Sequence, residues 1–235
     1  MLKRKGLTPW GECIADVESV SPGYLSAGDF TETRTEKPSL LLHSCCGPCS
    51  SSVLERLADK YHITVYFYNP NITDKNEYKK RLETQINLIE KFNSAGKSME
   101  SEKGILSFDK VEFLEGEYNP ESFFKVAKTL EREPEGGQRC VECFKLRLEK
   151  TAQTASLGGY QIFATTLTVS PHKNYHIITD IGLHLASEYK IEYLAMDFKK
   201  QDGFRRSIEL SKQYNLYRQN YCGCIYSKEP MEEKK

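Results

Sequence analysis

From residue 38 onward, short apolar runs alternate with longer segments of helical periodicity. Pro38 opens Ser39-Leu40-Leu41-Leu42-His43, whose continuous apolar character reads as a buried strand. Residues 50–59 follow as a helix with Val53, Leu54 and Leu57 inward. Ile63-Thr64-Val65-Tyr66-Phe67-Tyr68 is a second strand, stopped by Asn69-Pro70-Asn71. Asp74 is placed to cap a helix along which Tyr78, Leu82, Ile86, Ile89 and Phe92 recur at helical spacing. Residues 94–108 read as a polar loop, Val111-Glu112-Phe113-Leu114 as a short strand and 120–132 as a helix. Gly136-Gly137 breaks the chain before a helix over 139–155. Residues 160–166 form a strand, and 173–189 a helix with Ile178, Ile181, Leu185 and Tyr189 on one face. A strand over 191–196 and a helix over 203–216 complete the series. This alternation predicts an α/β fold: a mostly parallel sheet flanked by helices, with ligands beyond the carboxyl ends of its strands.

The flanks differ. Residues 1–37 lack sustained periodicity, are rich in Ser, Gly, Thr and Glu, and carry Trp10 and the isolated Cys13. They read as a loosely ordered extension of an α/β catalytic domain over 38–228, with a polar tail over 229–235. Lys plus Arg and Asp plus Glu each number 33, which excludes a uniformly basic coat but leaves room for local basic patches. No apolar run is long enough to span a bilayer, and the start MLKRKGLTPWGEC lacks the apolar middle of a signal peptide, so the cytoplasm is the expected compartment. Eight cysteines in a reducing compartment point to metal binding or redox chemistry rather than a disulfide framework.

Seven of them fall into three groups: Cys45, Cys46 and Cys49; Cys140 and Cys143; Cys222 and Cys224. An odd number cannot all be paired in disulfides. Cys140 and Cys143, three apart at a helix start, share a face and suit two corners of one metal centre. Cys222 and Cys224 flank Gly223 and point the same way if extended, so they can converge on one ion or close a readily reduced disulfide. Cys45 and Cys46, being adjacent, are expected to diverge and to suit two different irons of a cubane. A [4Fe–4S] cluster needs four thiolates, which Cys45, Cys46, Cys140 and Cys143 supply. Cys49, Cys222 and Cys224 then form a three-ligand site with an open position for substrate, although spacing equally allows Cys49 and Cys46 to exchange. Cys46-Gly47-Pro48-Cys49 also suits a thiol–disulfide oxidoreductase, but that chemistry leaves five cysteines unused. A zinc-stabilised binding module accounts for two pairs and uses four ligands, not seven.

The segments Leu42-His43-Ser44-Cys45-Cys46-Gly47-Pro48-Cys49, Tyr68-Asn69-Pro70-Asn71-Ile72, Arg139-Cys140-Val141-Glu142-Cys143-Phe144-Lys145-Leu146-Arg147-Leu148, Thr165-Thr166-Leu167 with Ser170-Pro171-His172-Lys173, and Tyr217-Arg218-Gln219-Asn220-Tyr221-Cys222-Gly223-Cys224 resemble, in order, the QueH-type epoxyqueuosine reductases. The resemblance covers roughly residues 39–228. It implies an α/β fold of the HUP type (adenine nucleotide alpha-hydrolase-like), a [4Fe–4S] cluster beside a second iron, and no cobalamin. It also implies a reaction, the two-electron deoxygenation of epoxyqueuosine to queuosine at the wobble position of tRNA, the last step of queuosine biosynthesis. An external low-potential electron donor is required.

On this reading the iron on Cys49, Cys222 and Cys224 acts as a Lewis acid on the epoxide oxygen, or Cys222 and Cys224 cycle between dithiol and disulfide. His172, Tyr68 and Tyr221 are candidate proton donors. A single-stranded anticodon base can be splayed out and stacked on aromatic or Arg planes. Lys79, Lys80, Arg81, Lys199, Lys200, Arg205, Arg206 and Arg218 are candidate RNA contacts, with Arg205 and Arg206 favoured by their place at a helix start.

Overall fold

A computed structural model describes residues 37–95, 100–101, 104–105 and 109–228. The extension over 1–36, with Trp10 and Cys13, and the tail over 229–235 lie outside the described residues. Seven strands and six helices follow in the order β1 (Ser39–His43), α1 (Gly47–Leu57), β2 (His62–Phe67), α2 (Lys75–Ala95), β3 (Glu100–Ser101), β4 (Gly104–Ile105), β5 (Glu112–Glu115), α3 (Pro120–Ala127), α4 (Gln138–Leu157), β6 (Ile162–Thr165), α5 (Tyr175–Tyr189), β7 (Glu192–Tyr193) and α6 (Gly203–Gln213). β3 and β4 pair with each other as a short antiparallel ribbon, within the stretch read as loop.

The other five strands form one parallel sheet in the order β5-β2-β1-β6-β7. β1 lies at its centre, and alternation along it serves both faces. Leu40 and Leu42 pack with Val53, Leu54 and Leu57 of α1, Leu88 and Ile89 of α2, and Ile63 and Val65 of β2. Leu41 packs on the opposite face with Phe144 and Leu148 of α4 and Ile178 and Leu185 of α5. Covering both faces explains why β1 is an unbroken apolar run rather than an alternating one. This is the expected α/β, HUP-like architecture.

The chain builds outward from β1 to β2 and β5 on one side, then crosses to β6 and β7 on the other. The order therefore reverses between β1 and β6, where open α/β sheets leave a crevice at their carboxyl ends. His43 ends β1 and Thr165 ends β6, side by side in register. The cysteine group at 45–49 follows His43 directly.

Several boundaries moved. α1 starts at Gly47, not residue 50, because Cys46 is extended at the N-cap (φ −173°, ψ 154°) and Pro48 sits in the first turn, where its missing N–H costs nothing. α3 stops at Ala127, short of residue 132; Lys128 is extended (ψ 131°) and Thr129 left-handed (φ 71°). β7 keeps only two of the six residues expected for it, since the backbone leaves the sheet after Leu194 N–H bonds the Phe163 carbonyl. Asp74 does cap α2, its Oδ1 accepting from the N–H groups of Asn76 and Glu77 at 2.9 and 3.2 Å.

Candidate metal centre

The turn leaving β1 gathers three thiols. The Sγ atoms of Cys45, Cys46 and Cys49 lie within 4.8 Å of one another, and those of Cys45 and Cys46 hydrogen-bond at 3.8 Å. The expected divergence of Cys45 and Cys46 is corrected here. They sit where the chain bends off the strand into the extended N-cap, so the pleat that would set neighbours on opposite faces has already ended.

Side chains on three other elements fix this turn. Asn69, just past β2, donates from Nδ2 to the Ser44 carbonyl at 2.8 Å. The hydroxyls of Ser44 and Ser50 lie 2.6 and 2.8 Å from Gln85 Oε1 on α2. Gln219 Nε2 donates to Cys46 Sγ at 2.9 Å from the C-terminal segment.

The trio shares its protons unevenly. Hydrogen bonding with Cys46, and then with Cys49, holds Cys45 well below the usual thiol range, with help from the charges of Lys173 and Arg147. The reciprocal bond pushes Cys46 up to about 11, and its bonds with Cys45 and Cys46 push Cys49 up as well.

Cys140 and Cys143 lie in the first turns of α4. The Gly136 N–H donates to Cys140 Sγ at 3.2 Å, and Arg139 Nη1 donates to the carbonyls of Leu130, Glu131 and Glu133, clamping the preceding loop. Burial raises Cys140, and raises Cys143 to about 12. Cys143 packs with Cys224, Phe123 and Ala127, while Cys140 packs against the cluster that contains Cys45 and Cys46. The charge of Cys222 also acts on Cys140.

The Cys222-Gly223-Cys224 loop is tied down by Arg81 of α2. Its Nη1 and Nη2 donate to the carbonyls of Cys222 and Tyr221 at 3.0 and 3.2 Å, while Nε pairs with Glu77 at 2.7 Å. The Thr73 N–H also donates to the Gly223 carbonyl. Gly223 has φ +111°, a region closed to most side chains, and a Cβ there would stand 3.0 Å from Ile72 Cγ1 and 3.2 Å from Arg81 Nη1. All seven described cysteines are free thiols.

Two residues that sequence reasoning left without a role complete the site. His43 is fully buried; burial, then the charge of Arg147, lower its pKa to about 3, so it is neutral. Its Nε2 faces the Tyr68 carbonyl at 3.2 Å and must carry the proton; Nδ1 then accepts from the Thr165 hydroxyl at 2.9 Å. That hydroxyl in turn accepts from the Leu167 N–H. His43 therefore bridges β1, β2 and β6 at the switch point.

Arg147 is the second. It lies one turn beyond Cys143 on α4, is 1% exposed, and donates from Nε to the Cys143 carbonyl at 3.3 Å. Its Nη2 is buried with no hydrogen-bond partner, and no carboxylate pairs with it among the described residues. The signal was present in the sequence: positions 140, 143 and 147 share one helical face.

The candidate proton donors and RNA contacts scatter. Tyr68 is buried and stacked on Tyr66, with burial raising its hydroxyl. His172 is exposed and lines an open polar groove with Lys173, His176, Asp197 and Lys199. Tyr221 lies under Arg81 and Lys228. Arg81 is structural, as described above. Arg206 makes a double ion pair with Glu55 of α1 at 2.6 and 2.8 Å and contacts Glu209, while Arg205 meets Glu209 at 3.3 Å. Carboxylates thus neighbour both members of the favoured RNA pair. Arg218 donates to the Ser207 carbonyl and Ser211 hydroxyl, and Lys199 to the Lys173 carbonyl.

The family model described as Epoxyqueuosine reductase QueH matches residues 40–230. A relative of that name from Streptococcus pyogenes serotype M1 is 43% identical over 196 residues, covering 83% of this chain and 72% of the relative. One from Staphylococcus epidermidis is 43% identical over 199 residues, 83% of this chain and 79% of its own length. The namesake from Thermotoga maritima is 32% identical over 198 residues, 83% of this chain and 93% of its own. The matched span contains all three cysteine groups, and the chain belongs to the QueH family of epoxyqueuosine reductases.

Proposed function

We propose that the seven thiols around the β1–β6 switch point hold an iron–sulfur cluster and a second iron, and that the site reduces epoxyqueuosine in tRNA to queuosine. Two electrons and two protons enter, both C–O bonds of the epoxide break, and the oxygen leaves as water. The observation that carries the reading is the donor set: seven free thiols on three segments, with two buried or half-buried cations beside them that form no ion pair with a carboxylate among the described residues. Such a set suits iron–sulfur chemistry far better than a single four-ligand zinc ion.

When bound, the metal groups supply low-potential electrons and a Lewis-acidic iron. The chain's own residues do the rest. Gln219, Asn69 and Arg81 hold the sulfur-bearing turns in place. His43, neutral and bonded on both sides, fixes the ends of three strands. Lys173 is the cation beside Cys222, Cys45 and Cys49; burial works against its charge, but those sulfurs raise its pKa overall. It can hold a proton at Nζ facing the open side of the site. Electrons come from an external low-potential donor.

Spacing supports a cluster on Cys45, Cys46, Cys140 and Cys143 with the second iron on Cys49, Cys222 and Cys224. The close approach of Cys45, Cys46 and Cys49 favours a second reading, in which that trio binds the single iron and Cys140, Cys143, Cys222 and Cys224 bind the cluster. Iron and sulfide analysis of anaerobically reconstituted variants separates them. Under the first division Cys222→Ala keeps its sulfide and Cys45→Ala loses it; under the second the outcomes reverse. Stoichiometric zinc without sulfide in the unaltered protein would refute both.

A further inference from the structure

A guanidinium in a protein interior needs a balancing anion or several carbonyl acceptors, because an unpaired buried charge is costly. The described residues hold three well-buried arginines. Arg81 has Glu77 and two carbonyls. Arg139 leaves its Nε unpartnered but gives Nη1 to three carbonyls and stacks over the Tyr226 ring. Arg147 has one long bond to the Cys143 carbonyl, already the acceptor of a helical N–H, and an orphaned Nη2. Its guanidinium carbon lies 5.8 Å from the Phe144 ring centroid. Arg147 shares a helical face with Cys140 and Cys143, and the charges of Cys143, Cys222, Cys45 and Cys140, drawn from all three cysteine groups, act on it.

We infer that Arg147 is the internal counter-cation of the metal centre: it neutralises the anionic thiolate-bound cluster, donates from its free Nη2 toward it, and so sets both its retention and its reduction potential. This is a positioning and electrostatic role, and it rests on the iron–sulfur reading above. A [4Fe–4S] centre with four thiolates is anionic and gains a further negative charge on reduction. A fixed positive charge beside it favours the reduced form, and cluster potentials respond to net charge and to hydrogen bonds at sulfur. The residue has no comparable partner in the metal-free protein. Its charge is therefore a burden when the site is empty and an asset when it is filled.

That opposition of signs is the test. Arg147→Met keeps the length and removes the charge; Arg147→Lys keeps the charge and removes the planar fork. Thermal unfolding is measured on protein stripped anaerobically with a chelator, and iron and sulfide retention, reduction midpoint and the electron paramagnetic resonance of the reduced centre are measured on reconstituted protein. The expected result is that metal-free Arg147→Met is at least as stable as the unaltered chain. Once loaded, it surrenders iron to chelator about tenfold faster and is harder to reduce by about tenfold in equilibrium constant, or about 59 mV for one electron. Arg147→Lys recovers most of the potential but less of the retention. The inference is overturned if metal-free Arg147→Met loses stability while its loaded form keeps the ordinary midpoint and retention, which is the signature of a packing residue. Failure of the iron–sulfur reading is separately visible, because the unaltered protein would then bind no sulfide; the metal-free unfolding comparison would still decide whether Arg147 is an uncompensated charge.

Discussion

Arg206 and Arg147 show two ends of this molecule solving the same problem differently. On the α1–α6 flank, Arg206 is part exposed and grips Glu55 with both arms, with Glu209 behind it. Near the carboxyl end of β1, Arg147 is buried and pairs with no carboxylate among the described residues. The first pair is complete as it stands and asks for no ligand. The second region sets Arg147 and Lys173 beside thiols from all three cysteine groups. An unpaired charge in the interior is thus a better guide to a binding site here than a pair of adjacent arginines in the sequence.

The largest effect expected is at the site end. Cys143→Ala should reduce turnover more than about hundredfold and remove most of the bound iron and sulfide, since losing a ligand exceeds the usual penalty for losing an outer partner. If iron and sulfide persist at full occupancy in Cys143→Ala, α4 contributes no ligand from that position.

Arg81→Met comes next and sharpens the contrast with Arg147→Met. Removing Arg81 leaves Glu77, which is only 11% exposed, with no cation and only the Tyr217 hydroxyl donating to it, and frees the carbonyls of Tyr221 and Cys222. Chemical denaturation of the metal-free protein should report a loss of about 3 kcal/mol. An equal response of the two arginine variants would erase the distinction between a paired and an unpaired buried cation.

Gly223→Ala should cost about 1–3 kcal/mol through backbone strain and lower turnover by displacing Cys222 and Cys224. Its direct check is the ratio of activity to bound iron, which should fall as the thiols move off their positions. Unchanged stability and activity would mean the loop adapts without strain.

The smallest effect belongs to the α1–α6 flank. Glu55→Ala should change stability by no more than about 1 kcal/mol, as an exposed pair allows, and leave iron content alone. Replacing Arg205 and Arg206 together should leave both the affinity for an anticodon stem-loop and its salt dependence unchanged. A shallower salt slope in that variant would restore the flank as an RNA surface.

These contrasts mark what the sequence could reveal. The leucines of β1 and the helical spacing of α2 made the α/β class readable, because burial on both faces and on one stripe leave different periods. Three cysteine groups, and the place of the first at a strand end, were equally plain. Arg147 could have been found too, since it continues the helical face of Cys140 and Cys143. Other features needed the third dimension. Glu55 meets Arg206 across 151 positions, and no local pattern encodes that pairing. The convergence of Cys45 and Cys46 depends on where the strand ends, and a boundary error of one residue reverses it. The early stop of α3 at Ala127 follows from the left-handed Thr129, which has no glycine to announce it.

The central claim is that this set of thiols reduces an epoxide on RNA. The direct measurement is anaerobic incubation of iron- and sulfide-reconstituted protein with an epoxyqueuosine-bearing anticodon stem-loop and a chemical low-potential reductant, followed by mass analysis of the released nucleosides. The account predicts queuosine, one oxygen lighter than its precursor, formed by the loaded protein and not by the metal-free protein or by Cys143→Ala. Loaded protein that leaves epoxyqueuosine intact, or metal-free protein that converts it equally well, would contradict it.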